Sequence, residues 1–375
     1  MRRAYRTTFA ALVLLLPPVA PPVFGATAPS AAAAAAPAYG VQRLADGVFA
    51  VVRREPLGLA NHSNTLLVIG DRDVLVVDTP FTLEATRAVI GELRKLTKKP
   101  VRAVVNTHWH DDHTFGNQVY RDSFPNAEFI AHEHTAEDMA SVGVENRKTQ
   151  VEGGALGLAD IRRAIERDTS FTGLPMTGDE RASYASTLAI AETYLAEVPE
   201  FRITLPTRTF ARLLTLEQGK RKVEIRWFGR GNTRGDAVVF LPKERVLAAG
   251  DLVNVPVPVA GASFLGEWIA ALDSLRALGP LVIVPGHGPV LEGDAQIVAT
   301  ARLLSSVKQQ TDAAVARGES LEQALSSVRL DEHRTAIAGG NRMVEYFFDG
   351  WFAMPAIMGE FKAARSVKKP VSGGE

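Results

Sequence analysis

The sequence predicts an α+β fold in which two packed β-sheets are flanked by helices. Short runs of β-branched and other apolar residues, separated by turn signals, occur in two comparable parts of the chain, 47–134 and 207–300. Apolar residues at helical spacing occur between and after these runs. With 375 residues and a hydrophobic share of 46%, the chain can bury a sizeable core. Such an order indicates sheets that pack together while helices cover their outer faces.

The N-terminus predicts an export signal that is not part of the fold. Basic M-R-R-A-Y-R precedes the apolar run F-A-A-L-V-L-L-L, and small residues follow. A membrane anchor is the alternative, but the apolar run meets Pro17 well short of the roughly 20 residues needed to span a bilayer. We assign residues 1–26 to a signal peptide and the alanine-rich residues 27–40 to a low-complexity leader. The expected location is periplasmic or secreted, with no stable membrane anchor.

The composition excludes several classes of function. Lys+Arg and Asp+Glu balance at 42 each, so no global charge favours binding to nucleic acid. The chain has no cysteine, which excludes disulfides, thiolate metal sites and a cysteine nucleophile. The expected partner is a small-molecule substrate, and no nucleic-acid partner is expected.

The first predicted sheet lies within residues 47–134. The segments G-V-F-A-V-V-R-R and N-T-L-L-V-I-G-D-R-D-V-L-V-V-D-T predict strands, with G-D-R-D as a hairpin turn. Residues 82–98 have helical spacing and end in two lysines before Pro100, a typical C-terminal signal of a helix. V-R-A-V-V-N and A-E-F-I-A-H predict two further strands.

Residues 135–200 predict a helical insertion, because long helical periodicity is broken at V-E-G-G and at T-G-L-P-M-T-G. Strands resume with T-R-T-F-A-R-L, K-V-E-I-R-W-F-G and the hairpin A-V-V-F-L-P-K-E-R-V-L-A-A-G-D. A helix near 266–278 then leads to L-V-I-V-P-G-H-G. We therefore assign 41–300 to one domain that contains the insertion, and 301–375 to a helical C-terminal extension.

The strongest functional signal is T-H-W-H-D-D-H at residues 107–113, directly after an apolar strand. A loop that leaves a strand can point His108, His110, Asp112 and His113 toward two neighbouring centres. Imidazole and carboxylate suit Zn²⁺, and the two metals of a two-metal hydrolase lie about 3.5–4 Å apart. A histidine-rich surface loop is the alternative, but this segment contains three of the eight histidines in the chain.

Two later strand ends supply matching groups. Asp251 ends R-V-L-A-A-G-D, and His287 lies in P-G-H-G-P, where the glycines let backbone and ring approach closely. Taken alone, Asp251 reads as a turn cap and His287 as a packed loop residue. Together with the histidine cluster they form a coherent set of metal ligands at strand ends.

In their combination and order, these motifs and the V-V-D-T strand resemble the metallo-β-lactamase-fold hydrolase superfamily over residues 47–300. The resemblance implies an αββα sandwich with a zinc site at one edge. It also implies two ligands of a first metal, three of a second, one bridging carboxylate and one carboxylate that supports the histidine loop: His108 and His110; Asp112, His113 and His287; Asp251; and Asp78.

One position departs from the family pattern. A third histidine ligand of the first metal would occupy the place of Asn232 in G-R-G-N-T-R-G-D. A carboxamide oxygen is a much weaker donor to Zn²⁺ than imidazole, so the first site is depleted. We expect one tightly bound Zn²⁺ in the second site. The alternative is that Asn232 still coordinates through its oxygen, as a weak ligand, and that two Zn²⁺ ions bind.

The expected function is that of an exported zinc-dependent hydrolase. A metal-bound water with its pKa lowered toward about 7 would attack the carbonyl of an ester, lactone, thioester or amide. Asp112 would bind metal and accept the water's proton, and Asn232 is a candidate donor to the oxyanion. A β-lactam substrate is less favoured, because Asp251 stands where one branch uses cysteine and Asn254 follows where that branch has a lysine.

Two functions from other classes are alternatives. A non-catalytic metal-binding protein of the same fold would suit the damaged first site, although the near-complete second site argues against decay. A mononuclear metal oxidoreductase would need the histidine that Asn232 replaces. Among the other histidines, we expect packing or surface roles for His132 and His134, and contact of His62 with substrate is left open.

Overall fold

The computed structural model describes residues 39–261 and 263–367. The predicted signal peptide and nearly all of the leader therefore lie outside the described residues. Within those ranges, no helix combines the length and the apolar character needed to cross a bilayer.

The first sheet has four antiparallel strands followed by a parallel part. In spatial order its strands are β1 (Tyr39–Ala45), β2 (Val48–Arg53), β3 (Thr65–Ile69), β4 (Val74–Val77), β5 (Val101–Val105), β6 (Glu128–His132) and β7 (Arg208–Phe210). The edge strand β1 was not predicted, because most of its residues are at least partly exposed and it carries no apolar alternation. Its first two residues, Tyr39 and Gly40, lie within the predicted leader.

The second sheet is antiparallel except for one central pair. Its strands are β8 (Leu213–Gln218), β9 (Arg221–Trp227), β10 (Ala237–Leu241), β11 (Val246–Gly250), β12 (Val282–Pro285) and β13 (Leu291–Glu292), in the spatial order β13-β12-β11-β10-β9-β8. β11 and β12 are parallel. The segment T-R-T-F-A-R-L was predicted to be a single strand. Its first part forms β7 of the first sheet, and its last residue, Leu213, begins β8 of the second sheet.

The outer layers are helical. Against the first sheet lie α1 (Leu83–Leu96), the short α2 (Asp111–Thr114) and α3 (Asn117–Ser123). The insertion contains α4 (Glu133–Met139), which begins two residues before the predicted start at 135, α5 (Val142–Glu166) and α6 (Gly178–Glu197). α7 (Leu265–Ala277) covers the second sheet. The C-terminal extension contains most of α8 (Ala295–Ala316), which begins six residues before the predicted boundary at 301, together with α9 (Leu321–Ser327), α10 (Asp331–Ala338), α11 (Arg342–Phe347), a π-helical segment (Phe348–Ala353) and α12 (Met354–Val367).

Alternating side chains build an αββα sandwich, as predicted. In β10, Val239 faces a buried cluster shared by both sheets, whereas its neighbour Val238 faces a second cluster with Trp268 of α7 and Leu304 of α8. A third cluster joins the outer face of the first sheet to α1 and α3. The period of two along the strand therefore places each sheet between an inner apolar layer and an outer one.

The predicted break at V-E-G-G is wrong, because α5 runs through residues 151–154 without interruption. One of the two glycines, Gly154, has a packing reason instead. A Cβ at Gly154 would lie 2.9 Å from Leu195 Cδ2 of α6, so glycine lets the two helices approach closely. The predicted break at T-G-L-P-M-T-G is confirmed: α5 ends before it and α6 begins at its last residue, Gly178, with Thr177 and Glu180 forming a capping box.

The C-terminal extension shares the core of the domain, which can be tested at Phe347. This side chain is fully buried in the cluster that contains Trp268. We expect Phe347→Ala to lower the free energy of unfolding by about 3–5 kcal/mol in urea titrations, through lost burial and a cavity. Met358→Ala, on α12 and 44% exposed, is the control and should change it by less than about 0.5 kcal/mol. Equal effects would contradict a shared core.

Candidate metal centre

Strand ends from both sheets bring the predicted ligands to one edge of the sandwich. The segment with His108 and His110 leaves β5 and continues into α2, which carries Asp112 and His113. Asp251 follows β11 and His287 follows β12, and Gly250 pairs with Pro285 where those parallel strands end. A Cβ at Gly286 would collide with Asp251 Oδ1, so the glycine in P-G-H-G permits the close approach that the sequence predicted.

The six side chains predicted as ligands lie in two groups. His108, His110 and Asp251 form one group, and Asp112, His113 and His287 form the other. Within each group the candidate ligand atoms lie within 4.8 Å of one another. Such groups match the nitrogen and oxygen ligands of a catalytic zinc site.

Asp251 lies between the two groups. Its Oδ1 is 3.1 Å from His113 Nε2 and 3.6 Å from His287 Nε2, whereas its Oδ2 is 3.8 Å from His108 Nε2. One carboxylate thus faces ring nitrogens of both groups with its two oxygens. This placement suits the bridging position that the family resemblance implies.

The second group is the more compact. His287 Nε2 lies 3.0 Å from Asp112 Oδ2 and 3.3 Å from His113 Nε2. With Asp251, four potential ligand atoms converge there. The same four residues were predicted to form the intact second site.

Hydrogen bonds at Nδ1 leave Nε2 of both imidazoles in this group free for a metal. His113 Nδ1 lies 2.9 Å from Asp78 Oδ2, and His287 Nδ1 lies 3.0 Å from the carbonyl oxygen of His62. Because an acceptor at Nδ1 fixes the proton there, the lone pair of Nε2 points into the site. Asp78 also accepts hydrogen bonds from the backbone N and the hydroxyl of Thr107, at 2.8 and 2.7 Å.

The donor set fits a cation on grounds independent of the family. Asp251 Oδ1 is buried and accepts no hydrogen bond of normal geometry from the described residues, although His113 Nε2 lies 3.1 Å from it. Burial lowers the pKa of His113, but the carboxylates of Asp251, Asp112 and Asp78 outweigh burial and raise it well above its ordinary value. The centre is thus a buried concentration of negative charge that favours a positive partner.

The first group has a different electrostatic character. Burial, helped by the neighbouring His113, holds the pKa of His108 well below its ordinary value, and burial also lowers the pKa of His110. His108 Nε2 lies 2.9 Å from His110 Nδ1. Both rings are therefore neutral at physiological pH, which is the form that binds metals.

Asn232 is buried beside the first group. Its Nδ2 lies 3.4 Å from Asp251 Oδ2, so the amide donates toward the central carboxylate. An amide nitrogen is no metal ligand, and in this orientation Asn232 is a hydrogen-bond donor. Its loop is held by Asp236, whose Oδ2 accepts a hydrogen bond of 2.6 Å from the backbone N of Thr233 and whose pKa is raised to about 7 by burial.

Two asparagines that the sequence did not single out as supporting residues fix the His287 loop. Asn64 Nδ2 donates to the carbonyls of Pro285 and Gly288, at 2.9 and 2.8 Å. Asn254 Oδ1 accepts a hydrogen bond of 3.1 Å from the backbone N of His287. Both residues lie in loops, where asparagine is common, so no local pattern marks them.

The remaining histidines have other contacts. His132 stacks on Trp227 with ring centroids 4.6 Å apart and bonds the Ala211 carbonyl at 2.9 Å, which is a packing role. His134 lies at the surface, 3.3 Å from Glu137. The ring of His62 is buried, and burial lowers its pKa to about 3. The part of His62 that contacts the centre is its carbonyl.

Sequence comparison agrees with this geometry. The model of the metallo-beta-lactamase superfamily matches residues 58–287, which is more than half of the chain. The chain belongs to this superfamily. All six candidate ligands lie within the matched range.

Individual relatives within the superfamily are distant. The chain is 27% identical over 277 residues to a linear primary-alkylsulfatase of Pseudomonas sp. (strain ATCC 19151), covering 69% of this chain and 48% of that protein. It is 20% identical over 284 residues to a type 2 metallo-beta-lactamase of Elizabethkingia meningoseptica, covering 74% of this chain and 89% of that protein. This chain thus spans about half the length of the alkylsulfatase.

Among solved structures, a metallo-beta-lactamase from Pontibacter korlensis matches with a TM-score of 0.49 and 21% identity. The match covers 71% of this chain and 99% of that protein.

The support that Asp78 gives to His113 can be tested with Asp78→Asn. Asp78 has a φ of 60°, a conformation that asparagine also tolerates, so the backbone should be preserved. The Asn side chain has one acceptor oxygen, and when that oxygen faces the backbone N of Thr107 its NH2 group faces His113 Nδ1, which loses its acceptor. We expect Zn²⁺ affinity, measured by competition with a chromogenic chelator, to fall by about 10–100-fold. Unchanged affinity would show that Asp78 does not orient His113.

Asn232→His tests whether the missing imidazole limits the first group. The new ring would face His108, His110 and Asp251, and we expect the zinc content at saturating metal to rise toward two ions per chain. Metal analysis of the dialysed protein gives the stoichiometry. If Asn232→His binds no more zinc than the parent, Asn232 does not stand in the place of a ligand.

Proposed function

We propose that the protein is an exported zinc-dependent hydrolase that cleaves an ester-type bond, with its tight metal held by Asp112, His113, His287 and Asp251. The single observation that carries the proposal is the convergence of two ligand groups on the buried Asp251 carboxylate. Membership of a superfamily that includes alkylsulfatases and beta-lactamases supports hydrolysis as the type of reaction. Export is supported by the signal-like N-terminal sequence.

Bound zinc would supply an activated water at neutral pH and a Lewis acid that polarises the bond to be cleaved. The protein's own residues must then handle the proton and orient the substrate. Burial raises the pKa of Asp112, but His113 and His287 outweigh burial and hold that pKa below its ordinary value. Asp112 is therefore ionised and can accept a proton from the attacking water.

Exposure indicates the side from which substrate approaches. The side chain of Asp112 is 25% exposed, whereas those of His113 and Asp251 are 0% and 3% exposed. Substrate would therefore reach the centre beside Asp112, with Asp251 behind it. The Asn232 amide, which lies next to Asp251, is the candidate donor to the oxygen that gains negative charge.

Two substrate classes fit this chemistry. A carbonyl ester, lactone, thioester or amide suits attack by an activated water. A sulfate ester is the second candidate, and it is favoured by the 27% identity to an alkylsulfatase over 69% of this chain. A β-lactam is less favoured, because Asn254 uses its side chain to bond the His287 backbone and offers no cation to a substrate carboxylate.

Hydrolysis is preferred over the two alternatives considered from the sequence. Both candidate groups contain every ligand that the family resemblance implies, except for the histidine that Asn232 replaces. The supporting hydrogen bonds to Asp78 and to the His62 carbonyl are also present. A non-catalytic metal-binding protein would not need to keep a partly exposed, ionised carboxylate at the centre. A mononuclear oxidoreductase would need the first group to be complete, and Asn232 leaves it short of an imidazole.

Metal removal and a substrate panel test the proposal together. The protein is expressed with its own signal sequence and purified. It is then assayed on p-nitrophenyl acetate, dodecyl sulfate and a chromogenic cephalosporin, before and after exhaustive chelation. We expect turnover of one of the two ester classes, its loss on chelation and its recovery when Zn²⁺ is added back. Activity that survives chelation would contradict a metal mechanism. Stoichiometric zinc with no turnover of any ester would favour the non-catalytic alternative.

A further inference from the structure

The carboxylate of Asp111 faces away from the candidate ligands and into the helical insertion. This residue lies between His110 and Asp112 and is buried. Arg147 of α5 donates to both of its oxygens, from Nε at 2.9 Å and from Nη2. Tyr194 of α6 donates from its hydroxyl to Asp111 Oδ2 at 3.2 Å. The charge inside the metal-binding motif is therefore neutralised by the insertion.

Aromatic packing fixes the two residues that hold Asp111. The Arg147 guanidinium lies 4.0 Å from the ring centroid of Phe201, and the ring of Tyr194 stacks on Phe81 at 4.4 Å. Because both donors are immobilised, the position of Asp111 is set by α5 and α6. Asp112, the next residue, is positioned with it.

The N-terminal half of α6 contacts the loop at residues 57–62. Thr187 Oγ1 accepts a hydrogen bond of 2.9 Å from the backbone N of Leu59, and the Ser183 hydroxyl donates to the carbonyl of Leu57. A Cβ at Gly58 would collide with Thr187 Oγ1, so glycine lets this loop lie directly on the helix.

That loop leads to His287. Asn61 Oδ1 accepts from the backbone N of Gly58 at 2.9 Å and from Arg53 Nη1 at 2.8 Å, which locks the turn. The next residue is His62, whose carbonyl accepts the hydrogen bond of 3.0 Å from His287 Nδ1. The bond that fixes the tautomer of His287 thus depends on a loop held by α6.

We propose that one face of α6 positions Asp112 and His287 from two sides, through Asp111 and through the 57–62 loop. Ser183, Thr187 and Tyr194 are spaced by four and seven residues, which places them on the same face of a helix with 3.6 residues per turn. The metal role of Asp112 and His287 rests on the proposed function. In this positioning role, the insertion fixes the positions of Asp112 and His287 relative to each other.

The C-terminal extension holds this helix in turn. Arg342 of α11 pairs with Glu180 in the first turn of α6 and donates to the Pro175 carbonyl at 2.6 Å. Asn341 Nδ2 donates to Asp179 Oδ2 at 3.1 Å. These contacts join the insertion to the extension.

Three single variants and one double variant on α6 test the proposal. Thr187→Val and Tyr194→Phe each remove a hydroxyl that bonds outside the helix, and they are also combined. Thr193→Val is the matched control, because the Thr193 hydroxyl bonds the Ala189 carbonyl of its own helix at 2.9 Å. Thermal unfolding of the metal-free proteins shows whether all variants fold.

The first readout needs no metal. In metal-free protein labelled with ¹⁵N-histidine, we expect Thr187→Val to shift the Nδ1 resonance of His287 toward that of a ring without a carbonyl acceptor. Thr193→Val should leave this resonance in place. A His287 spectrum that is the same in Thr187→Val as in the parent would overturn the proposed link through the 57–62 loop.

The second readout is metal binding. We expect the double variant to bind Zn²⁺ on the order of tenfold more weakly than the parent, with an altered visible spectrum of the Co²⁺-loaded protein. Parent-like affinity and spectrum in the double variant would overturn the positioning role. If the parent itself binds no zinc, the proposed function fails, while the histidine resonances still decide whether α6 orients His287.

Discussion

The centre depends on the contacts between the buried carboxylate of Asp251 and the histidine rings around it. Burying a charge is costly unless it is paired, and Asp251 is surrounded by ring nitrogens of His108, His113 and His287. Each of those rings must keep a lone pair directed at the centre. Their outer nitrogens are accordingly engaged by Thr107, Asp78 and the His62 carbonyl. The orientation of each ring is therefore set by an acceptor at its outer nitrogen and by the Asp251 carboxylate near its inner nitrogen.

The sandwich supplies this arrangement because the ends of its strands meet at one edge. β5 of the first sheet and the parallel pair β11 and β12 of the second deliver the histidine loop, Asp251 and His287 to the same place. The apolar layer between the sheets keeps the two strand sets in register. The insertion then contacts the surroundings of the centre through Asp111 and the 57–62 loop, and the C-terminal extension contacts the first turn of α6.

Much of this could be predicted because it is encoded locally. The strands follow from short β-branched runs, α1 from apolar spacing and the lysines that follow it, and the candidate ligands from compact motifs at strand ends. The helical insertion and extension were also predicted by periodicity. What the sequence motifs supplied was a set of residues and their order along the chain.

The remainder depends on contacts between residues far apart in the sequence. The reason for Gly154 within the continuous α5 is Leu195 of another helix, which only the packed structure brings against it. The strand β1 depends on pairing with β2 and has little apolar pattern of its own. No spacing rule could have found three of the supporting contacts, because each joins residues that are far apart in the sequence: those of Asn64 with Pro285, Asn254 with His287, and Arg147 with Asp111.

Anomalous X-ray scattering on either side of the zinc absorption edge, from crystals of protein purified without chelator, would locate the metal itself. We expect a strong zinc peak among Asp112, His113, His287 and Asp251. Between His108 and His110 we expect a weak peak or none, because Asn232 leaves that group short of an imidazole. Peaks of equal height at both positions would contradict the depleted first site, and the absence of zinc from both would contradict the metal centre itself.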